Sequence, residues 1–498
     1  MNDNVITDNV NNNNLFSTSN IINIKWGEFY SNLETSLASY LLPDDGDARI
    51  LSGGGGYGYD FNGNYTDTTD ENFKNYVWYS GKLWRIVALN NDGSIKLVTQ
   101  KNMTTIDWGA NTTFYSDDGE GNITKSWMYE WLNEDFLDTL YNKENIVKLD
   151  SEWDVTMTEE TTKPTSPTKI TASVGLLTVY EYTQSYSETG SYSTGYLNNG
   201  YEWWLLTPSD SSYVQCVGIS GHLSSASPSS FACGARPSIN LSSNIKTSGG
   251  DGSLENPYTL EGDISDPTNN VTKLNERVSG EYVNFNGEKY RIVSIENGIT
   301  KITKSDFIRN ADGTYTTKYF LTSEKYGGGT SSDYWDYYLN NDWYNSLATS
   351  PVNYKGMIVE GTYYLGWYPG NVSYKQTICD ETITGNLAKT INGENSCTRI
   401  TDESKLYIGK VGLGRVGEMF TSQQGTGYGN SHNMLTITPY SSFSSVFIVW
   451  FVRYVGVLDY YMPSSDATGA RPSINLSSNI VITDGDGTIN RPFEINFG

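Results

Sequence analysis

Two segments of this chain each occur twice, and that repetition constrains the fold more than any other feature of the sequence. Residues 76–87 read YVWYSGKLWRIV, and residues 282–293 read YVNFNGEKYRIV. Farther along, residues 234–245 and residues 469–480 both read GARPSINLSSNI. A sequence that repeats itself in the same order usually folds into repeated structural units. The chain is therefore expected to contain two copies of one domain.

The numbering offset between the copies shows where they differ in length. The offset is 206 at the first repeated segment (282 − 76) and 235 at the second (469 − 234). The second copy is thus longer by 29 (235 − 206), and much of this excess is expected around Cys379 and Cys397. The predicted division of the chain is a polar N-terminal segment with a possible short helix (1–46), a first repeat (47–262), a linker (263–271) and a second repeat (272–498).

Within the first copy, the pattern of apolar residues predicts an α+β fold. The segment YVWYSGKLWRIV reads as two strands joined by a tight turn at Ser80-Gly81. Residues 126–142 place four large apolar side chains at helical spacing, and residues 174–184 are expected to form a second, shorter helix. Short strands and turns follow. Each copy is therefore predicted to hold two helices and a loop-rich antiparallel sheet.

Charge and hydropathy exclude several classes of partner. The net charge is −24 with no basic stripe, which disfavours nucleic acid and anionic membrane surfaces. The most apolar run, Val446 to Val452, has the length of a strand and cannot cross a bilayer, so no direct membrane insertion is expected. The N-terminus lacks the pattern of a signal peptide. Composition and cysteine usage favour an extracellular or cell-surface location, with any leader or anchor not present in this chain.

The four cysteines form two pairs that are close in sequence. Cys216 lies near Cys233, and Cys379 lies near Cys397. An even number of cysteines in a chain rich in Gly, Ser and Asn favours two disulfides, and four unpaired buried thiols are the alternative. No metal site is expected, because there is no Cys-x-x-Cys spacing and the chain has only two histidines.

The copies differ most just before GARPSINL. Residues 213–237 align without a gap to residues 448–472, and six matched positions form a shared frame: Val214/Val449, Val217/Val452, Gly221/Gly456, Leu223/Leu458, Pro228/Pro463 and Ala232/Ala467. Between these positions nearly every side chain differs. Core residues cannot vary so freely, because changes in packed volume cost free energy. The differing residues are therefore expected to be exposed on a rigid frame, as in a binding surface, and drift of an unused surface is the alternative.

These motifs carry a resemblance. YVWYSGKLWRIV and GARPSINL, followed by a Gly-Asp-Gly tail, resemble surface proteins of gut Firmicutes, and residues 449–476 resemble the variable proteins of diversity-generating retroelements. The resemblance implies tandem C-type lectin-like domains, related in fold to the formylglycine-generating enzyme. It also implies that a reverse transcriptase rewrites codons for an exposed ligand-binding face in the second copy. The implied face comprises Tyr440, Phe443, Arg453, Tyr454, Val455, Val457, Asp459, Tyr460, Tyr461 and Asp466.

No catalytic residues and no cofactor are expected. The formylglycine-generating enzyme uses closely spaced cysteines that this chain lacks, and two histidines make a Ser-His-Asp triad improbable. The expected function is non-enzymatic binding, of the adhesin or receptor type, to an unknown protein or glycan on another cell, phage or host surface. Three alternatives remain: a fixed structural or appendage subunit, a phage receptor-binding protein and a carbohydrate-active enzyme.

Calcium-dependent sugar binding is not expected either, because the calcium motifs of C-type lectins are absent. Asp484-Gly485-Asp486-Gly487 could supply carboxylates to a cation elsewhere. A tight turn is the preferred interpretation of this segment, because Asp-Gly steps favour turns.

Overall fold

The computed structural model describes residues 49–50, 57–59, 65–67, 75–90, 92–185, 195–229, 233–296, 298–320, 326–364, 406–415, 434–443, 446–452, 458–461 and 469–498. Residues 1–46, which were predicted to form a polar segment, lie outside this part of the chain. The described residues form a mixed α+β structure that consists mostly of β-sheet, with short helices. The α+β class expected from the sequence is confirmed, whereas the assignment to tandem C-type lectin-like domains stays a prediction.

The first half of the chain contains nineteen strands and three short α-helices within the described residues: β1 (Arg49–Ile50), β2 (Tyr57–Tyr59), β3 (Tyr65–Asp67), β4 (Tyr76–Tyr79), β5 (Lys82–Leu89), β6 (Ile95–Thr99), β7 (Thr104–Thr105), β8 (Tyr115–Asp117), β9 (Ile123–Lys125), α1 (Trp127–Glu130), α2 (Lys143–Ile146), β10 (Ser151–Asp154), β11 (Lys169–Ala172), β12 (Val174–Gly175), α3 (Val179–Thr183), β13 (Trp203–Pro208), β14 (Val214–Val217), β15 (Leu223–Ala226), β16 (Gly234–Ala235), β17 (Ser238–Leu241), β18 (Thr247–Gly249) and β19 (Tyr258–Leu260). A π-helical turn, Trp131–Phe136, continues α1.

The described part of the second half begins with a 3₁₀ turn, Leu274–Glu276, and continues with β20 (Tyr282–Phe285), β21 (Glu288–Glu296), β22 (Ile299–Lys304), α4 (Trp335–Tyr338), α5 (Tyr344–Ser346), α6 (Tyr354–Met357), β23 (Ile358–Val359), β24 (Gly361–Tyr364), β25 (Leu406–Gly409), β26 (Val411–Gly412), β27 (Met434–Phe443), β28 (Val446–Val452), β29 (Leu458–Tyr461), β30 (Ser473–Leu476), β31 (Ile480–Asp484) and β32 (Phe493–Phe497). A π-helical turn, Leu339–Trp343, joins α4 to α5.

The large sheets of the two halves share one strand order. In the first half the order is β17-β6-β5-β4-β19-β18, and in the second it is β30-β22-β21-β20-β32-β31. In both sheets one pairing is parallel, between β19 and β4 in the first half and between β32 and β20 in the second. All other pairs along these two paths are antiparallel. The repeated sequence segments therefore occupy equivalent strands.

One asparagine in each half ties the main helix to the sheet. The Asn133 side chain accepts hydrogen bonds from the amides of Ser173 and Val174 and donates to the Val174 carbonyl. Asn340 makes the same three contacts with Lys410 and Val411. A helix residue is thereby bonded to the backbone of the short strand β12 or β26.

The helix predicted over residues 174–184 is wrong at its start, because the hydrogen bonds from Asn133 hold this part of the chain as a strand. Because Asn133 bonds to its backbone, Val174 is held extended and pairs with Ile239 of β17. The helix begins only at Val179, after a capping box in which Thr178 and Glu181 bond to each other's backbone amides. The hairpin predicted over residues 76–87 is confirmed as β4 and β5, with positive φ at Ser80 and Gly81.

The additional residues of the second half lie between two equivalent strands. In the first half, the connection from β10 to β11 spans 155–168, whereas the connection from β24 to β25 spans 365–405. The difference in length between these connections is 27 (41 − 14), which accounts for nearly all of the excess of 29. Cys379 and Cys397 fall within the longer connection and therefore outside the described residues.

The two halves pack against each other through the segment that joins them. Buried Asp263 accepts hydrogen bonds from the Ser80 amide in the β4–β5 turn, at 3.2 Å to each carboxylate oxygen. At the same junction, Gly81 approaches Gly280 so closely that a Cβ on Gly280 would lie 2.3 Å from the Gly81 carbonyl oxygen. Arg277 and Glu281 form a buried ion pair beside these contacts. Asp263, the first residue of the predicted linker, is therefore buried in a contact with the first half.

Candidate ligand-binding face

The stretch in which the copies differ forms a β-hairpin in both halves. We call β14–β15 the first hairpin and β28–β29 the second hairpin. In the first hairpin Val217 pairs with Leu223 and Val214 with Ala226, and in the second Val452 pairs with Leu458 and Val449 with Tyr461. Every pair is shifted by the same offset as the two GARPSINL segments. The two hairpins therefore align without a gap in the structure, as they do in the sequence.

The frame positions and the differing positions have opposite burial in the first hairpin. The frame residues Val214, Val217, Gly221 and Pro228 are buried, and Leu223 is half-buried. Most differing positions are exposed, namely Ile219, Ser220, His222, Ser224, Ser225 and Ser227. Sequence change is thus concentrated where side chains reach solvent, as expected of a surface that is free to change on a fixed frame.

Gly218 and Cys216 are exceptions to this pattern, because they differ between the copies and are nevertheless buried. A Cβ on Gly218 would lie 2.4 Å from Cε1 of the His222 ring, which covers it. In the second hairpin the matching residues are Arg453 and Val457, so the larger side chain has moved to the other member of the pair. The two positions have therefore changed together.

The predicted face residues of the second hairpin fall into two groups. Tyr440 and Phe443 belong to β27, and Asp459, Tyr460 and Tyr461 belong to β29. Arg453, Tyr454, Val455, Val457 and Asp466 lie outside the described residues. At the matched positions of the first hairpin, the counterparts of Tyr454, Val455, Val457, Asp459 and Tyr460 are exposed. The membership of the face stays a prediction.

Tyr440 and Phe443 lie on an extension that the first half lacks. Strand β13 leads into β14 through five residues, 209–213. In the second half the β27–β28 ladder continues beyond the Pro439–Val449 pair through three further pairs, ending at Phe443–Val446. The ribbon is four residues longer, since the offset is 231 at β13 (439 − 208) and 235 at β14 (449 − 214). It adds strand backbone at one end of the hairpin.

Trp450 was missed by the analysis of the sequence. It pairs with Tyr460 across the second hairpin, just as Gln215 pairs with Ser225 across the first. Gln215 is half-buried and Ser225 is exposed, so this pair reaches the open side of the first hairpin. The exchange of Gln for Trp at one aligned position was the available signal. Because Trp450 lies within a long apolar run, the sequence pattern indicated a residue of a buried strand.

The disulfide between Cys216 and Cys233 is confirmed and joins β14 to the start of β16. At the aligned positions the second half has Phe451 and Thr468, so both partners are replaced together. The predicted pairing of Cys379 with Cys397 lies outside the described residues. The one confirmed bridge stiffens the first hairpin on the side that carries Val214 and Cys216, which belong to the core.

We expect removal of this bridge to lower stability. In the chain-entropy model, closing a loop of this size stabilises the folded state by about 3 kcal/mol, by restricting the unfolded chain. A Cys216→Ala/Cys233→Ala variant should therefore lose about that free energy of unfolding, as measured by denaturant titration. Adding a reducing agent should weaken the parent protein and leave the variant unchanged. Equal stability of the two proteins without reductant would contradict the expected contribution.

His222 and Ser220 form a close pair, with 2.7 Å between the hydroxyl and Nδ1, in the exposed loop of the first hairpin. A hydrolytic triad would also need a carboxylate on the other ring nitrogen. None of the hydrogen bonds between described residues joins an acidic side chain to this ring. The pair is therefore incomplete as a triad in the part of the chain that the structure describes.

The Gly-Asp-Gly tails form turns in both halves. Asp486 accepts hydrogen bonds from the amide and hydroxyl of Thr488, and Asp251 does the same with Ser253. Arg491 forms ion pairs with Asp484 and Asp486. These contacts occupy the carboxylates that were considered for a cation. Among the described residues, no group of three or more His, Cys, Asp or Glu side chains is arranged to hold a metal ion.

Asp107 is a buried acid beside the first hairpin. It is 3% exposed, and neither of its carboxylate oxygens has a hydrogen-bond partner among the described residues. Residues next to Asp107 are hydrogen-bonded to two parts of the hairpin sheet. The Ile106 carbonyl accepts a hydrogen bond from the indole N–H of Trp204 in β13, and the Gly109 amide donates one to the Pro228 carbonyl after β15. Burial raises the pKa of Asp107 to about 7. The segment that clamps the hairpin sheet therefore contains an acid that resists ionisation.

Comparison with known proteins gives a match to one family model. Residues 94–243 match a family model described as "Domain of unknown function (DUF6273)". The matched stretch runs from β6 to just beyond β17 and includes the first hairpin, but it covers less than a third of the chain. No curated protein and no solved structure matches significantly. Among the described residues, no helix is long and apolar enough to cross a membrane.

Proposed function

We propose that this chain is a non-enzymatic ligand-binding protein of the cell exterior, and that its second hairpin is the binding face. One observation carries the proposal: the two hairpins have the same register, and most positions that differ between them are exposed in the first hairpin, whereas most frame positions there are buried. A surface selected for binding changes in this way, because each exchange alters contacts with a ligand without disturbing the core. The disulfide supports the exterior location, since such bonds persist in oxidising compartments.

The chemistry of the second hairpin supports recognition of a macromolecule. The aligned exposed positions carry Tyr454, Val455, Val457 and Tyr460, and the pair position adds Trp450. Tyrosine, tryptophan and arginine dominate binding energies at interfaces, because they bury large areas with few rotatable bonds. The pairing of β28 with β29 positions the backbone of Trp450 and Tyr460 before a ligand arrives, so little backbone entropy is lost there on binding. Diversification of the face by a retroelement is the finer form of the proposal.

The two neighbouring tyrosines of β29 are expected to respond differently to truncation. Tyr460 matches exposed Ser225, whereas Tyr461 matches Ala226, which is half-buried and packs against the core. Tyr460→Ala should change the free energy of unfolding by less than about 0.5 kcal/mol, and Tyr461→Ala should lower it by about 1–2 kcal/mol. Denaturant titration of the two variants tests this difference. A large destabilisation by Tyr460→Ala would show that Tyr460 packs in the core, and this result would contradict the proposed ligand-binding face.

Sequencing tests the function itself. The codons for residues 440–476 should be read deeply across a population of the source organism. Scatter concentrated at 453–461, with Val449, Gly456, Leu458 and 469–476 unchanged, is the expected result for a diversified face. One uniform sequence would overturn diversification and leave a fixed adhesin or structural subunit.

A further inference from the structure

The outer strand of the first hairpin has an unpaired backbone edge. Strand β15 ends the five-stranded sheet β15-β14-β13-β16-β7, and β14 is its one partner among the described strands. The Gly218 amide donates to the His222 carbonyl at 2.8 Å, so backbone bonds between β14 and β15 recur at every second pair from that point. The backbone groups of Ser224 therefore face β14, whereas the amides and carbonyls of Leu223 and Ser225 point away from it.

Three other sheet edges in the described part of the chain are covered. One asparagine bonds to both backbone groups of Val174 in β12, and another does the same for Val411 in β26. The outer edge of β31 is bonded at Ile482, whose amide donates to the Thr272 carbonyl at 2.7 Å. Strand β15 has no such cover among the described residues. An exposed row of backbone donors and acceptors is a template for another strand.

The free groups of β15 complement those of a second copy of the same strand. If two copies pair antiparallel about Ser224, Leu223 of each copy lies opposite Ser225 of the other, and each such pair exchanges two N–H···O bonds. The pairing forms four (2 × 2) backbone bonds in total. Ser224 meets its own copy at the two-fold axis, with about 4.5 Å between the two Cα atoms. Its side chain is small and exposed, which permits this close approach.

The second hairpin carries a charged residue at the matching position. Asp459 of β29 is opposite Phe451, just as Ser224 of β15 is opposite Cys216. Pairing of β29 with its own copy would place two carboxylates on opposite sides of the axis, and like charges in that arrangement are destabilising. Charged residues at sheet edges commonly prevent such pairing. The comparison therefore singles out β15, and not β29, as the edge that can pair with itself.

We propose that two copies of this chain associate through β15, paired antiparallel with Ser224 on the two-fold axis. The two five-stranded sheets then form one continuous sheet across an isologous contact. The contact is short, and the net charge of −24 on each copy opposes it, so the dimer is weak and reversible. Because salt screens that repulsion, dimer formation increases with ionic strength. The inference does not depend on the function proposed for the second hairpin.

Analytical ultracentrifugation of the full chain, from micromolar to millimolar concentration and at low and high salt, tests the association. The parent protein should form dimers. Ser224→Lys and Ser224→Glu should each lose them, because equal charges meet at the axis, and an equal mixture of the two variants should recover dimers. Ser166→Lys changes another exposed serine and should associate at least as well as the parent protein. Ser224→Lys lowers the net negative charge, so general repulsion alone predicts the opposite result.

A cysteine variant tests the register of the contact. Ser224→Cys places two thiols across the axis at a Cα separation that suits a disulfide, and mild oxidation should link the two copies covalently. Ser166→Cys should stay unlinked under the same conditions. Denaturant titration shows that each variant is folded. The proposal is overturned if the parent protein stays monomeric at millimolar concentration, if Ser224→Lys dimerises like the parent protein, or if the mixture of oppositely charged variants stays monomeric.

Discussion

Replacing Arg277 by alanine is expected to lower the free energy of unfolding by about 3–5 kcal/mol, because it leaves a buried carboxylate without its partner. The Glu281 side chain is fully buried and receives two hydrogen bonds from the Arg277 guanidinium. The same guanidinium lies 4.7 Å from the centre of the Phe493 ring in β32. The loss should appear in denaturant titration as a lower midpoint.

The same segment offers a matched control. Lys273 and Glu276 form an ion pair of the same charge type in which both side chains are more than half exposed. Lys273→Ala should cost less than about 1 kcal/mol, because water already screens this pair. The double variant Arg277→Met/Glu281→Leu should recover most of the stability, since it removes both buried charges together. Equal effects of Arg277→Ala and Lys273→Ala would contradict burial of the pair.

The second large effect is a dependence of stability on pH that originates at Asp107. In the unfolded chain this carboxyl loses its proton near pH 4, whereas in the folded protein burial raises its pKa to about 7. Between these values the folded state binds more protons, so stability falls as pH rises from 4 to 7 and then levels off. Three pH units correspond to about 4 kcal/mol.

Asp107→Asn tests this origin by removing the charge while keeping the shape of the side chain. The variant should gain up to about 4 kcal/mol over the parent protein at pH 8 and show little difference at pH 4. Urea titrations at several pH values measure the difference directly. Asp150→Asn, at an exposed position, is the control. A gain that is the same at pH 4 and pH 8 would show that Asp107 titrates normally.

Several features of the structure follow from short stretches of sequence. The turn at Ser80-Gly81 and its equivalent at Asn286-Gly287 both adopt positive φ, as a two-residue hairpin turn requires. The pairing of Cys216 with Cys233 follows from the joint absence of both residues in the second copy. The register of the second hairpin follows from its alignment with the first. In each case the geometry depends on residues that are close in sequence, or the same stretch occurs in both halves and the two can be compared.

Other features depend on residues that are distant in sequence. Val174 and Gly175 have a helical pattern, but contact with Asn133 and β17 holds them extended. Asp107 looks like any acid in a loop, and only the surrounding packing removes it from water. Trp450 looked like a strand-core residue until its partner Tyr460 and the burial of Gln215 were known. The pattern of residues along one strand does not show which of its two faces another element will cover.

By itself, therefore, the sequence determined that this protein has two related halves, where the β4–β5 hairpin turns, and which positions of the variable stretch form the frame. Internal repetition carries that information, because it compares two solutions to the same folding problem. The tertiary structure alone decided that the parallel pairs β19–β4 and β32–β20 join the strands of the large sheets, and that the Arg277–Glu281 ion pair is buried. These contacts join residues far apart in the chain, and no spacing in the sequence encodes them.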